Sequence, residues 1–238
     1  MCIIANIITK QIPNTLTCCN LMSGCIATGA AFHGNMEWAV IMIIIGAVFD
    51  FFDGMSARLL HVSSPIGKEL DSLADVVTFG VAPSAMIFYM FSQVVYPDFL
   101  EPLRSILPYS AFLMAAFSAL RLAKFNLDER QTSSFIGLPT PANALFWGSL
   151  IIGNRGFLVS EKFNAVFLFL FMLLFCFLLV AELPLFALKF KNLSWKDNKI
   201  KYVFLIGCIP MFAFLKYSSF AAIIVWYLFL SILTRKQN

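Results

Sequence analysis

Apolar runs of about twenty residues recur from residue 14 to residue 235, separated only by short polar breaks. A helix of that length crosses a hydrocarbon core of ~30 Å. Inside lipid, only helices and closed barrels satisfy their own backbone groups. Eight runs can be drawn, at roughly 14–33, 37–60, 69–96, 106–127, 138–155, 163–188, 200–217 and 219–235. The fifth is short and opens with two prolines, Pro139 and Pro141. The chain is 60% apolar and 13% charged, against roughly 25% charged in a soluble domain, and its mean hydropathy is +0.84. The expectation is an all-α, polytopic integral membrane helical bundle forming one transmembrane domain over residues 1–238. No soluble domain, repeat or low-complexity tract fits between the runs. The 27 phenylalanines suit lipid-facing helix surfaces.

The first ten residues, "MCIIANIITK", lack a basic start and a small-residue cleavage site, so no cleavable signal is expected. They read as a short helix lying in the interface, ended by Lys10. The six cysteines (Cys2, Cys18, Cys19, Cys25, Cys176, Cys208) fall mostly inside apolar runs without CxxC spacing. That pattern indicates buried free thiols, with neither a disulfide framework nor a zinc site. Orientation follows from the basic residues. With the N-terminus inside, Lys10, Arg58, Lys68, Arg121, Lys124, Arg130, Lys189, Lys191, Lys196, Lys199, Lys201, Arg235 and Lys236 are cytoplasmic. Only Arg104, Arg155, Lys162 and Lys216 face the other side. The localisation expected is the inner (cytoplasmic) membrane, multi-pass, with the N-terminus inside. The net charge of +4 is explained by basic loops beside anionic headgroups, and no nucleic-acid partner is expected.

Against this background, residues 49–75, "FDFFDGMSARLLHVSSPIGKELDSLAD", concentrate acid. Asp50 and Asp53 are three apart and share a helix face; Asp71 and Asp75 are four apart and share a face on the next helix. The second run heads inward and the third heads out, so all four carboxylates can meet near the cytoplasmic boundary. An ionised Asp inside a transmembrane helix costs ~2.5–3.5 kcal/mol on insertion scales, so a cluster needs compensation. One arginine, Arg58, cannot neutralise four acids. Divalent cations can, because carboxylate oxygens are the ligands hard cations prefer. Two ions would hold a diphosphate through an in-line displacement. A lone pair of aspartates near a helix end is usually solvated interface, and Gly54 with Ala57 alone would read as helix packing. Together the positions spell D-x2-D-G-x2-A-R-x8-G-x3-D-x3-D, from Asp50 to Asp75. A chance match is on the order of 10⁻¹⁰ per start site at ordinary residue frequencies.

That string resembles, without a departure, the signature of the CDP-alcohol phosphotransferases, which transfer a phosphoryl-linked group from a CDP-alcohol to a second alcohol and release CMP. The resemblance implies a two-metal site of Mg²⁺ or Mn²⁺ held by Asp50, Asp53, Asp71 and Asp75, with Asp75 as the catalytic base. It implies CDP binding by Asp53, Gly54, Ala57, Arg58 and Gly67. It also implies a six-helix core over about 1–190, two extra C-terminal transmembrane helices over about 191–238, and a homodimer. Four further stretches are similar to the serine-using branch of the family, the bacterial integral-membrane phosphatidylserine synthases. They are "IPNTLTCCNLMSG" (12–24), "GKELDSLADVVTFGVAPS" (67–84), "RLAKFN" (121–126) and "GLPTPAN" (137–143). The implied substrates are CDP-diacylglycerol, drawn from the lipid bilayer, and L-serine.

For the amino acid, Arg121, Lys124 and Asn126 stand at the cytoplasmic end of the fourth run; plain positive-inside topology accounts for the same cations. Asn14, Thr17 and Asn20, three apart on the first run, offer polar contacts to nucleotide or substrate, or hydrogen bonds between helices. His33, His61 and Glu69 receive no role. Two rivals stay open at this point. One is the same chemistry with glycerol 3-phosphate or inositol phosphate as acceptor. The other is a divalent-cation transporter, although its acids would be expected near the bilayer midplane, where only Glu182 is a further candidate. A scaffold is disfavoured, since uncompensated acids serve no packing purpose.

Overall fold

The computed structural model describes residues 2–62, 64–128, 135–186, 188 and 194–234, with side chains from residue 11 onward. Of the cations expected to be cytoplasmic, Arg130, Lys189, Lys191, Arg235 and Lys236 lie outside the described residues, as do the side chains of Lys10 and Lys196. The chain is a helical, multi-pass membrane protein. Four stretches are long and apolar enough to cross a membrane: Gln11–Phe32, Met36–Leu59, Pro65–Gln93 and Asn198–Leu233.

The first helix, α1 (Cys2–Phe32), runs without a break through the residues that the sequence reading set apart as a short interfacial helix. A turn at Gly34, with φ +75, leads into α2 (Met36–Leu59), whose N-terminus is capped by the Asn35 side chain accepting from Trp38 N at 3.1 Å. The end of α2 is closed by a pair of backbone bonds, Val62 N to Ala57 O at 3.0 Å and His61 N to Arg58 O at 3.3 Å. This is a Schellman closure, and it puts His61 in the left-handed region at φ 53, the place glycine usually fills. The loop is therefore short and fixed. Ser64 then caps α3 (Pro65–Asp75), accepting from Gly67 N at 2.9 Å, with Pro65 in the first turn where its missing N–H costs nothing.

A π-helical turn over Val76–Val81 continues α3 into α4 (Ala82–Gln93). Pro83 supplies a physical reason: in a regular helix its ring would collide with the carbonyl four residues earlier, and the wider turn relieves that clash. Fused, α3, the π turn and α4 make the third expected run. The fourth begins in a 3₁₀ stretch at Leu107–Phe112, containing Pro108, so that α5 (Leu113–Leu127) is shorter than the run. Helices α6 (Thr140–Gly153) and α8 (Ala165–Val180) are also shorter than the apolar runs that contain them, with the single turn α7 (Arg155–Leu158) between them. The chain ends in α9 (Trp195–Leu215) and α10 (Ser219–Thr234), separated at Lys216, where φ is 45.

Strands β1 (Phe135–Ile136) and β2 (Pro184–Leu185) pair antiparallel and hook the start of α6 onto the end of α8. Gly137, at φ +76, permits this hook, since a Cβ there would stand 2.6 Å from Leu179 O. Between α6 and α8 the core is aromatic, with Phe146 stacked on Phe175 at 4.0 Å and Trp147 edge-on to Phe171 at 5.5 Å. Near the middle of the bundle, α1, α2 and the π turn come together through glycines. A Cβ on Gly24 would lie 2.7 Å from Thr78 Cα, and one on Gly46 would lie 2.6 Å from Thr78 Cγ2. A left-handed non-glycine residue costs on the order of 1 kcal/mol. His61→Gly is therefore expected to raise the thermal unfolding midpoint in detergent, and His61→Val, β-branched at the same φ, to lower it.

Candidate active site

Because α2 ends in the tight closure at His61 and α3 starts at Ser64, the last turns of α2 and the first turns of α3 stand side by side. That juxtaposition gathers the aspartates. One carboxylate oxygen each from Asp50, Asp53 and Asp71 lies within 4.8 Å of the others. Asp75 is not part of this group; it sits one turn beyond Asp71, and Asp53 and Asp75 are only 6% and 8% exposed. Among the described residues, no lysine or arginine forms an ion pair with any of the four.

The polar face of α1 holds two of these acids. The Thr17 hydroxyl donates to Asp53 Oδ2 at 2.6 Å, and Asn20 Nδ2 donates to Asp75 Oδ1 at 3.2 Å. Asn20 is itself fixed, since Thr78 Oγ1 donates to its backbone carbonyl at 3.0 Å. The spacing of Asn14, Thr17 and Asn20 suggested either substrate contacts or bonds between helices. Thr17 and Asn20 make bonds between helices, and those bonds orient carboxylates.

A cavity of about 400 Å³ adjoins the aspartates. Its walls include Asp53, Gly54, Ala57, Gly67 and Asp71 from the sequence signature, and Asn14 and Thr17 from α1. Gly54 leaves it open: a Cβ there would meet only Arg58 Nη1, at 3.8 Å. Arg58 is exposed and is not part of the wall. Pro13, Val62, Ser64 and Lys68 line the cavity too, and the sequence reading missed them as site residues. For Val62, Ser64 and Lys68 the signal was positional, in that they lie in or beside the loop between the acidic helix ends; Pro13 comes from α1.

The three residues considered for the amino acid fare differently. Asn126 is engaged, its Nδ2 donating to Ser72 Oγ at 2.7 Å while Lys68 Nζ donates to its carbonyl at 3.2 Å. It ties α5 to α3. Arg121 is buried, with Nε donating to Leu138 O at 3.1 Å and its guanidinium carbon 5.1 Å from the Phe125 ring centre. It also lies within electrostatic reach of Asp75. Lys124 is exposed. Two polar residues of "GLPTPAN" given no role by sequence, Thr140 and Asn143, are buried, and Thr140 Oγ1 and Asn143 Oδ1 have no hydrogen-bond partner among the described residues.

Three close carboxylates fit a hard cation. Oxygens on opposite sides of one Mg²⁺ are about 4.2 Å apart, within a small adjustment of what this cluster spans. Asp71 Oδ1 is buried without a hydrogen-bond partner among the described residues, and a bound cation would satisfy it.

The chain matches the profile of the CDP-alcohol phosphatidyltransferase family over residues 10–234, and it belongs to that family. Among its relatives is the CDP-diacylglycerol–serine O-phosphatidyltransferase of Bacillus subtilis, 40% identical over 132 residues, which are 56% of this chain and 70% of that one. The enzyme of the same name from Helicobacter pylori J99 is 34% identical over 139 residues, 56% of this chain and 54% of the relative. That from Saccharomyces cerevisiae is 36% identical over 136 residues, 53% of this chain and 46% of the relative. The match thus takes in about half the length of the latter two.

The glycines make a paired prediction. Gly54→Leu is expected to fold normally and to weaken binding of CMP by at least about tenfold, read by calorimetry, because its side chain enters the open cavity. Gly46→Leu is expected to lower the unfolding midpoint sharply, because its side chain meets Thr78 and Asn20.

Proposed function

We propose that this chain is a phosphatidyltransferase that moves the phosphatidyl group of CDP-diacylglycerol to L-serine, giving phosphatidylserine and CMP. The observation that carries the reading is the cluster of Asp50, Asp53 and Asp71 beside an open cavity, with Asp75 held one turn away by Asn20. The relatives named for the serine reaction supply the acceptor. Asp50, Asp53 and Asp71 would hold the divalent metal, Mg²⁺ or Mn²⁺. When bound, such ions supply charge stabilisation to the diphosphate and the departing phosphate.

The remaining work falls to the chain. Thr17 fixes the Asp53 carboxylate, and Gly54, Ala57 and Gly67 leave room for the cytidine diphosphate to lie against backbone. Asp75, fixed by Asn20, takes the proton of the serine hydroxyl as its oxygen attacks the phosphorus nearer the diacylglycerol. The bond from that phosphorus to the CMP oxygen breaks, and CMP leaves. Such reactions are catalysed mainly by positioning and electrostatics. Arg121 presents a buried cation near Asp75, suited to the carboxylate of serine, and Thr140 and Asn143 are buried on α6, Asn143 Nδ2 donating to Met114 Sδ at 3.0 Å. Lys124 is an exposed cation on the path to it, and Asn126 acts by fixing α3 against α5. Arg58, exposed at the end of α2, would meet the nucleotide phosphate. The asymmetry of basic residues supports an inner-membrane location with this site on the cytoplasmic side. A homodimer is the assembly the family resemblance implies.

A general base contributes typically 10²–10⁴-fold. Asp75→Asn is expected to lose at least about a hundredfold in phosphatidylserine formation while still binding CDP-diacylglycerol; undiminished turnover would remove Asp75 from this role. In a panel of labelled alcohols with the wild-type protein, product is expected from serine. Product from glycerol 3-phosphate and none from serine would overturn the acceptor and leave the reaction class.

A further inference from the structure

The end of the bundle away from the aspartates carries a second feature. Val40, in the first turns of α2, packs on Gly148 in the second half of α6, so α6 ends opposite to the acidic end of α2. There, two apolar grooves flank the helix. One, of about 660 Å³, lies between α6 and α8 and is walled by Phe163, Phe167, Leu170 and Leu174. The other, of about 530 Å³, lies between α6 and the α9–α10 pair and is walled by Met211, Leu215, Val225 and Phe229. Both fall within the range of small-molecule sites, ~300–1,000 Å³. They share Leu150, Asn154 and Phe171, so they meet at one end.

That meeting point is polar and basic. Asn154 Nδ2 donates to Ser218 Oγ at 3.0 Å, which brings the end of α6 to the α9–α10 turn. Arg155 follows Asn154 directly, Lys216 stands two residues before Ser218, and Lys162 lines the first groove. These are three of the four cations that break the positive-inside pattern. Among the described residues none of the three is in an ion pair. Trp147, wholly buried, also lines the first groove, and its indole N–H has no acceptor among the described residues. A buried indole ordinarily finds one.

We propose that this junction binds an anionic diacyl phospholipid of the leaflet opposite the active site. Its phosphate sits among Arg155, Lys162 and Lys216, and one acyl chain enters each groove, on either side of Phe171. Cations placed against the usual topology then have a ligand, and the two grooves have the branching a two-chain lipid requires. The site does not depend on the reaction assigned above.

The test is native mass spectrometry of the full chain with dioleoyl phosphatidylglycerol or dioleoyl phosphatidylcholine, which differ only in headgroup. Wild type is expected to retain the anionic lipid about tenfold better, the order of effect for a few unscreened cations. Arg155→Gln, Lys162→Gln and Lys216→Gln together should abolish that preference. Leu170→Trp, at a lipid-facing position that tolerates bulk, should reduce retention of both lipids with an unchanged unfolding midpoint in detergent. Equal retention of the two lipids by wild type, or a preference that survives the triple substitution, would overturn the headgroup site. Undiminished retention by Leu170→Trp would overturn the placement of the chains.

Discussion

Mutual repulsion among Asp50, Asp53 and Asp71 is the constraint around which the rest of this end of the bundle is built. At 4.8 Å and an effective dielectric of ~20, each ionised pair opposes the fold by about 3–4 kcal/mol. Three such pairs rival the whole net stability of an ordinary domain, ~5–15 kcal/mol. Among the described residues no basic side chain pairs with them. The acids persist because the backbone leaves them no escape. The Schellman closure at His61 and the Ser64 cap fix both helix ends, and Asn126 braces α3 from α5. Local geometry thus gathers carboxylates whose mutual repulsion a cation would offset.

Helix α1 acts as the ruler for the site. Thr17 and Asn20 are three apart on one face, and each fixes one carboxylate on a different helix. The close approach needed for those bonds depends on Gly24 and Gly46 admitting Thr78 of the π turn. The same turn separates the environments of the acids. Asp71 belongs to the carboxylate cluster, whereas Asp75 is buried against Asn20 and near Arg121. Four like residues in one motif thus stand in different surroundings.

Much of this was legible in the chain. Apolar run length gave the membrane class, and the fixed spacing of the aspartates gave the cluster of Asp50, Asp53 and Asp71, because helical periodicity converts spacing into a shared face; Asp75, expected with them, stands one turn away. What could not be read was anything set by contacts between distant segments. Whether Thr17 and Asn20 served substrate or neighbouring helices depended on the approach of α1 to α2 and α3. Arg121 looked like a free cation at a helix end and is instead bound to Leu138 O, because the β1–β2 hook folds "GLPTPAN" over it. Asn126 looked like a ligand for serine and is a brace. Run length also overstated helix length: Pro108 delays α5, and the polar breaks around Asn154 and Asn164 trim α6 and α8.

The central claim is that the three carboxylates are a cation site. Electron paramagnetic resonance of the full chain titrated with Mn²⁺, in the absence of any substrate, addresses it directly. The expected result is saturable binding that is lost on replacing Asp71 by Asn and weakened about ten- to a hundredfold by Thr17→Val, which removes the group orienting Asp53. Saturable binding unchanged in Asp71→Asn, or no saturable binding at all, would contradict it.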